Sequence, residues 1–69
     1  MEVIAKNSKT RSTLHGVIFP VRDRIVFTFH VVFDSGSRYQ GRLSFSGKDS
    51  LIDYLMEVCG FEKLTFKKS

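Results

Sequence analysis

The sequence predicts an α+β fold, in which an antiparallel β-meander of about five strands carries one C-terminal helix on one face and ends in a short closing strand. Residues 24–33 alternate with period two and are rich in aromatic and β-branched side chains, as in the central strand of a sheet. Residues 51–59 instead repeat apolar side chains every three and four positions, as in a helix. The chain has 69 residues, which is the length of one small domain, 1–69.

Two strands precede the central segment. Residues 2–6 predict a short first strand, and the polar, aperiodic residues 7–12 predict a basic loop. Residues 13–21 predict the second strand. Because Pro20 lacks the N–H group that a sheet ladder needs, it suits a strand end or an edge strand.

Hairpins on both sides of residues 24–33 predict how the strands pair. A two-residue loop at 22–23 sets the first register, with Leu14 opposite Val31, Gly16 opposite Phe29, Ile18 opposite Phe27 and Val21 opposite Arg24. The ring of Phe29 is then expected to cover Gly16. The turn at 34–37 leads to a strand over 38–46 and sets the second register, with Phe27 opposite Phe45, Phe29 opposite Leu43, Val31 opposite Gly41 and Phe33 opposite Tyr39. Both hairpins put apolar side chains on one face, and this agreement supports the fold.

The helix follows a start signal at residues 47–50, where Asp49 or Ser50 is expected to cap the first N–H groups. Its apolar side chains form one stripe, which consists of Leu51, Ile52, Leu55, Val58 and Cys59. Gly60 is expected at the left-handed position that often ends a helix. Residues 61–67 then predict the closing strand.

Composition and charge restrict the functions that the protein can have. The formal net charge is +4, and residues 3–48 carry eight basic side chains against two acidic ones. This asymmetry favours an anionic partner for the sheet or its loops. One cysteine forms no internal disulfide and fits a cytoplasmic location. Uncharged apolar runs fall far short of the roughly 20 residues of a membrane helix, so no membrane partner is expected. A domain this small gains stability from self-association, so a homodimer is also considered.

The helix covers one face of the predicted sheet, so alternate strand residues lie on the other face. The predicted pairing gives that face two rows, the first with His15, His30 and Arg42, and the second with Phe19, Val26 and Ser46. Asp34 at the rim is the only acid expected there.

Basic side chains beside an aromatic ring are typical of nucleic-acid-binding surfaces, because the charges neutralise phosphates and the ring stacks on an unpaired base. We therefore expect a small non-enzymatic module that binds RNA or single-stranded DNA and needs no cofactor. The expected contacts are Lys9, Arg11, His15, Phe19, Arg24, His30, Arg38 and Arg42.

Two other functions are open on this sequence. The first is protein interaction, with the apolar side chains of the same face, or the acidic helix, docking a regulatory partner or a second copy. The second, and lesser, is RNA cleavage by His15, His30 and Arg42, with one histidine as base, the other as acid, and the arginine on the phosphate. Metal binding is not expected, because two histidines without a nearby acid do not complete a site.

Overall fold

The computed structural model describes residues 1–68, which form a five-stranded antiparallel sheet with a helical segment on one face. This confirms the predicted α+β meander. The strands are β1 (Glu2–Asn7), β2 (Ser12–Val21), β3 (Arg24–Phe33), β4 (Arg38–Phe45) and β5 (Lys63–Lys67). Their order in the sheet is β4-β3-β2-β1-β5. The middle strand is therefore β2 and not β3, which was predicted to be central, because β1 and β5 both add on the far side of β2.

The β2–β3 hairpin has the predicted register. Gly16 lies opposite Phe29 and Val21 opposite Arg24, so the loop contains two residues. Arg22 has a φ of 59°, and the favoured two-residue hairpin turns need this left-handed conformation at their first position. Pro20 lies near the end of β2, beyond the Glu2–Val17 pair that closes the β1–β2 ladder, so its missing N–H group breaks no bond to β1.

The predicted β3–β4 register was wrong by two residues. The observed pairs are Ile25 with Phe45, Phe27 with Leu43, Phe29 with Gly41 and Val31 with Tyr39. The backbone N–H of Phe33 donates to the carbonyl of Ser37 at 2.9 Å, so the loop consists of residues 34–36 and begins one residue earlier than predicted. Gly36 has a φ of 93°, and such a residue allows a three-residue loop to close. A shift of two residues keeps every side chain on its predicted face.

The helix α1 (Lys48–Asp53) begins after Gly47, whose backbone is extended, and no side chain caps it. The predicted capping by Asp49 or Ser50 was wrong, because both residues lie inside the first turn. The Ser50 hydroxyl is instead 3.0 Å from the Ser46 hydroxyl.

A π-helical turn (Tyr54–Val58) continues α1. The N–H of Cys59 donates to the carbonyl of Tyr54 at 3.1 Å, so this turn is wider than an α-helical one. The extra residue rotates Val58 off the predicted apolar stripe, and 71% of Val58 is exposed. Tyr54 packs against Phe45 instead, and the neighbouring Cys59 thiol raises the pKa of its hydroxyl. Gly60 ends the helix with a φ of 79°, as predicted.

The core lies between the helix and one half of the sheet. Its buried apolar side chains are Val3, Ala5, Leu14, Ile18, Phe27, Leu51, Leu55 and Phe61. In the described part of the chain, β4 contributes no fully buried side chain. The helix therefore covers β1, β2 and part of β3, and leaves much of β4 uncovered.

Two phenylalanine rings of β3 lie over one glycine in each of the neighbouring strands β2 and β4. A Cβ at Gly16 would come within 2.6 Å of Cζ of Phe27, and one at Gly41 within 2.8 Å of Cζ of Phe29. The ring over Gly16 is thus that of Phe27 and not, as predicted, that of Phe29. The Phe29 ring lies over Gly41 directly opposite it, whereas the Phe27 ring reaches diagonally to Gly16, and the two rings stack at a centroid distance of 5.2 Å.

Candidate nucleic-acid interface

The face of the sheet opposite the helix is called the open face here. It is formed by every second residue of each strand, because the intervening residues point to the core. Its side chains are Glu2, Ile4, Lys6, Thr13, His15, Val17, Phe19, Val21, Arg24, Val26, Thr28, His30, Val32, Arg38, Gln40, Arg42, Ser44, Lys63, Thr65 and Lys67.

Among residues 1–68, the open face carries six basic side chains and one acidic side chain. The basic ones are Lys6, Arg24, Arg38, Arg42, Lys63 and Lys67. The prediction that no acid but Asp34 lies here was wrong, because β1 brings Glu2 onto this face. The sequence reasoning also missed three lysines, because it did not pair the closing strand with β1. Basic and apolar residues alternate in β5, and this pattern places Lys63 and Lys67 on the face opposite the core.

Four of the six basic side chains lie along the two margins of the open face. Arg38 and Arg42 lie on the edge strand β4, and Lys63 and Lys67 lie on the opposite edge strand β5. Four strand spacings of roughly 4.8 Å place the two margins about 19 Å apart. Between them the floor is formed mainly by uncharged side chains of β1, β2 and β3.

His15 and His30 form a cross-strand pair in the middle of this floor, as predicted. Their ring centroids are 5.5 Å apart and the rings are nearly perpendicular. Nε2 of His15 is 3.8 Å from Oε1 of Glu2. A shallow hollow of about 310 Å³ surrounds the pair and is lined also by Gln40.

Arg42 does not complete the histidine row. It lies opposite Thr28, and Gln40 takes its predicted place opposite His30, because the β3–β4 register differs by two residues. In the arrangement predicted for RNA cleavage, the arginine that was expected to bind the phosphate is therefore not opposite His30. Within residues 1–68, no three His, Cys, Asp or Glu side chains are close enough to hold a metal ion.

Phe19 is the aromatic side chain of the open face. It lies opposite Val26, as predicted, and 51% of it is exposed. The third member of its row is Ser44 and not Ser46, which follows the end of β4. Nε of Arg24 donates to the Ser44 hydroxyl at 3.0 Å, so the guanidinium is held at the same end of the face as Phe19.

Lys9 and Arg11 lie in the β1–β2 turn at the other end of the sheet. The backbone N–H of Lys9 donates to Oδ1 of Asn7 at 3.0 Å, which fixes the turn. The guanidinium of Arg11 is 3.6 Å from the carboxylate of Asp34, and both side chains are exposed. The structure thus places Lys9 and Arg11 beyond the open face, and Arg11 has an acidic neighbour.

The helix side of the molecule carries the opposite charge. Asp49, Asp53 and Glu57 are exposed on the helical segment. Lys48 is also on this side, with Nζ 4.2 Å from the centroid of the Phe66 ring. The molecule therefore has a basic sheet face and an acidic helix on opposite sides.

Comparisons of this chain with protein families, with curated proteins and with solved structures find no match. Of the helices formed by residues 1–68, none combines the length and the apolar character of a membrane span. The function is therefore inferred from the geometry of the open face.

Proposed function

We propose that this protein is a non-enzymatic module that binds single-stranded nucleic acid on its open face. The observation that carries the proposal is the combination of two basic margins with a mainly uncharged floor that exposes Phe19. Such a surface can hold phosphates at its sides while bases lie on its floor.

The basic margins supply the affinity. Each phosphate that Arg38, Arg42 or a lysine neutralises releases condensed counterions, so binding is expected to weaken as salt is raised. Arg38 and Arg42 lie four residues apart on β4, which separates their Cα atoms by about 13 Å. One strand of nucleic acid can therefore contact both arginines through different phosphates.

The floor supplies contacts to the bases. The exposed ring of Phe19 is available for stacking, and His15 and His30 offer nitrogen atoms for hydrogen bonds to base edges. The major groove of a duplex admits an α-helix or a two-stranded ribbon, and a flat sheet face offers neither. This shape favours unpaired bases over a double helix.

The test is fluorescence anisotropy with labelled single-stranded and duplex oligonucleotides. If four to six phosphates are contacted, a slope of about −3 to −4 in log affinity against log salt is expected, which is a loss of about 60- to 250-fold between about 50 and about 200 mM salt. Single strands should bind more tightly than duplexes. Absence of binding at the lower salt concentration would reject the proposal and favour a protein partner, whose apolar contacts respond far less to salt.

A second candidate function, RNA cleavage, is favoured by the contact between His15 and His30 on the same face. A general base and a general acid at this spacing can act on a 2′-hydroxyl and a leaving oxygen. RNA and DNA oligonucleotides of one sequence separate the two candidates, because DNA lacks the 2′-hydroxyl. We expect the RNA to be recovered intact after prolonged incubation. Shortening of the RNA oligonucleotide but not of the DNA oligonucleotide would establish cleavage.

A further inference from the structure

The outer edge of β4 has backbone groups available for another strand. The bond from the Phe33 N–H to the Ser37 carbonyl shows that the odd-numbered residues of this strand direct their N–H and C=O groups toward β3. The groups that point away from the sheet therefore belong to Arg38, Gln40, Arg42 and Ser44. Within residues 1–68, no strand pairs with this edge.

The two edges of the sheet differ in how well they resist pairing. The edge strand β5 has five residues and carries lysines at both ends, which is a common protection against added strands. The edge strand β4 has eight residues and no proline. It is therefore the longer of the two edges and offers more outward-pointing backbone groups to a partner strand.

We propose that β4 pairs with β4 of a second copy, antiparallel and centred on Gly41. A two-fold axis then passes between the two Gly41 residues, which is an isologous contact. The cross-strand pairs are Gln40 with Arg42, Arg38 with Ser44, and Tyr39 with Leu43, each residue paired with one from the other copy. Gln40 and Arg42 exchange backbone hydrogen bonds, because their N–H and C=O groups point outward.

Avoidance of like charges favours this register over its two neighbours. Centring the pair on Gln40 would place Arg38 opposite Arg42 of the second copy, and centring it on Arg42 would place that arginine opposite itself. Like charges directly opposite each other are destabilising. Centring on Gly41 places each arginine opposite an uncharged side chain.

Apolar surface on the helix side also favours a second copy. Tyr39 is 63% exposed, because the helix does not reach this part of β4. The proposed register packs Tyr39 against Leu43 of the second copy, and vice versa, on the side of the sheet that holds the core. The occupant of the edge is therefore a second copy of this chain, whose pairing strand supplies uncharged partners for the arginines and apolar partners for Tyr39 and Leu43.

The pairing has a consequence for the open face. The two-fold axis is perpendicular to the sheet, so both open faces lie on the same side of one ten-stranded sheet, five strands from each copy. Arg38 and Arg42 of both copies then meet in the middle. Their repulsion is reduced by salt or by a bound polyanion, so either should strengthen the pairing.

Sedimentation velocity over a range of concentrations tests the pairing, with the full chain and its Gln40→Pro variant. Proline removes the outward N–H of residue 40, which in a single copy faces solvent, so the sheet should tolerate it. Gln40→Thr keeps the N–H and is the matched control. We expect a dimer that Gln40→Pro weakens by at least about tenfold, from the loss of two symmetric hydrogen bonds, and that Gln40→Thr retains. A monomer at every concentration and salt, or a dimer that Gln40→Pro leaves intact, would overturn the pairing.

A covalent trap keeps the test independent of how well Gln40→Pro folds. The double variant Tyr39→Cys with Leu43→Cys places thiols that face each other only between copies, because positions 39 and 43 of one strand are about 13 Å apart. We expect mild oxidation to give a dimer whose peptide map joins positions 39 and 43, while the unmodified chain, with Cys59 alone, gives none. Only monomer from the double variant would contradict the register. If the chain binds nucleic acid but is monomeric under all conditions, the pairing is rejected and the proposed function is retained.

Discussion

The two faces of β2 differ in what they contribute to the protein. On one face, Leu14 and Ile18 are buried against the helix and the neighbouring strands. On the other face, His15 and Phe19 are accessible, although they belong to the same ten-residue strand. Because side chains alternate along a strand, one residue contributes to the stability of the core and the next is available for binding. Substitutions on the helix face should therefore unfold the protein, whereas substitutions on the open face should change what it binds.

The largest expected effect contrasts two phenylalanines. Phe27 is fully buried, so Phe27→Ala should lower the free energy of unfolding by about 3–5 kcal/mol. Phe19 is half exposed, so Phe19→Ala should lower it by less than about 1 kcal/mol. Urea denaturation followed by circular dichroism measures both changes. Equal losses from the two substitutions would mean that Phe19 belongs to a buried layer and not to a binding surface.

The next effect contrasts two glycines. A Cβ at Gly16 would lie 2.6 Å from Cζ of Phe27 and 2.8 Å from the carbonyl oxygen of Thr28, so Gly16→Ala should destabilise the protein by about 1–3 kcal/mol. Gly47 is the matched control, because nothing lies within 4 Å of a Cβ there and its backbone is extended. The thermal midpoint of Gly47→Ala should stay near that of the parent chain. A tolerated Gly16→Ala would show that the Phe27 ring is free to move aside.

The sequence predicted these faces better than the contacts between strands. Period-two alternation assigns each residue to a face, and for this reason His15, Phe19, Arg24, His30, Arg38 and Arg42 were placed correctly on the open face. Alternation does not distinguish registers that differ by two residues, so Arg42 was placed beside His30 instead of opposite Thr28. That choice depends on the loop closed by Gly36, which composition alone does not determine.

Long-range pairing explains most of the remaining differences. The lysines of β5 join the open face only because β5 pairs with β1, more than fifty residues away in the chain. The π-helical turn that exposes Val58 begins at Tyr54, whose ring packs against Phe45. The alternation in β5 assigns its faces but not the strand with which it pairs, and the contact of Tyr54 with Phe45 leaves no periodic signal, so local patterns predicted neither contact.

A smaller effect concerns binding at the floor of the open face. If Phe19 stacks on a base, Phe19→Ala should weaken single-strand binding by about 5- to 150-fold, the range expected for one stacked base. Val58→Ala is the control, because Val58 is exposed on the helix side. Anisotropy at a fixed salt concentration measures both variants. Equal affinity of Phe19→Ala and the parent chain would exclude stacking at this position.

The smallest effect concerns one margin charge. Arg42→Ala should reduce the magnitude of the salt slope by about 0.7 and leave folding unchanged, because one phosphate contact is lost. Lys48→Ala removes the same charge from the helix side and should keep the parent slope. Identical slopes for the two variants would show that net charge, and not the open face, governs binding.

The most direct measurement is a methyl NMR titration with a single-stranded oligonucleotide. Ile4, Val17 and Val26 carry methyl groups on the open face, whereas Leu14, Leu51 and Leu55 carry them in the core. If nucleic acid binds on the open face, the first set should shift progressively and the second set should stay in place. Shifts confined to Val58 and other helix-side methyl groups, or none at saturating oligonucleotide, would contradict the assignment of the open face as the binding surface.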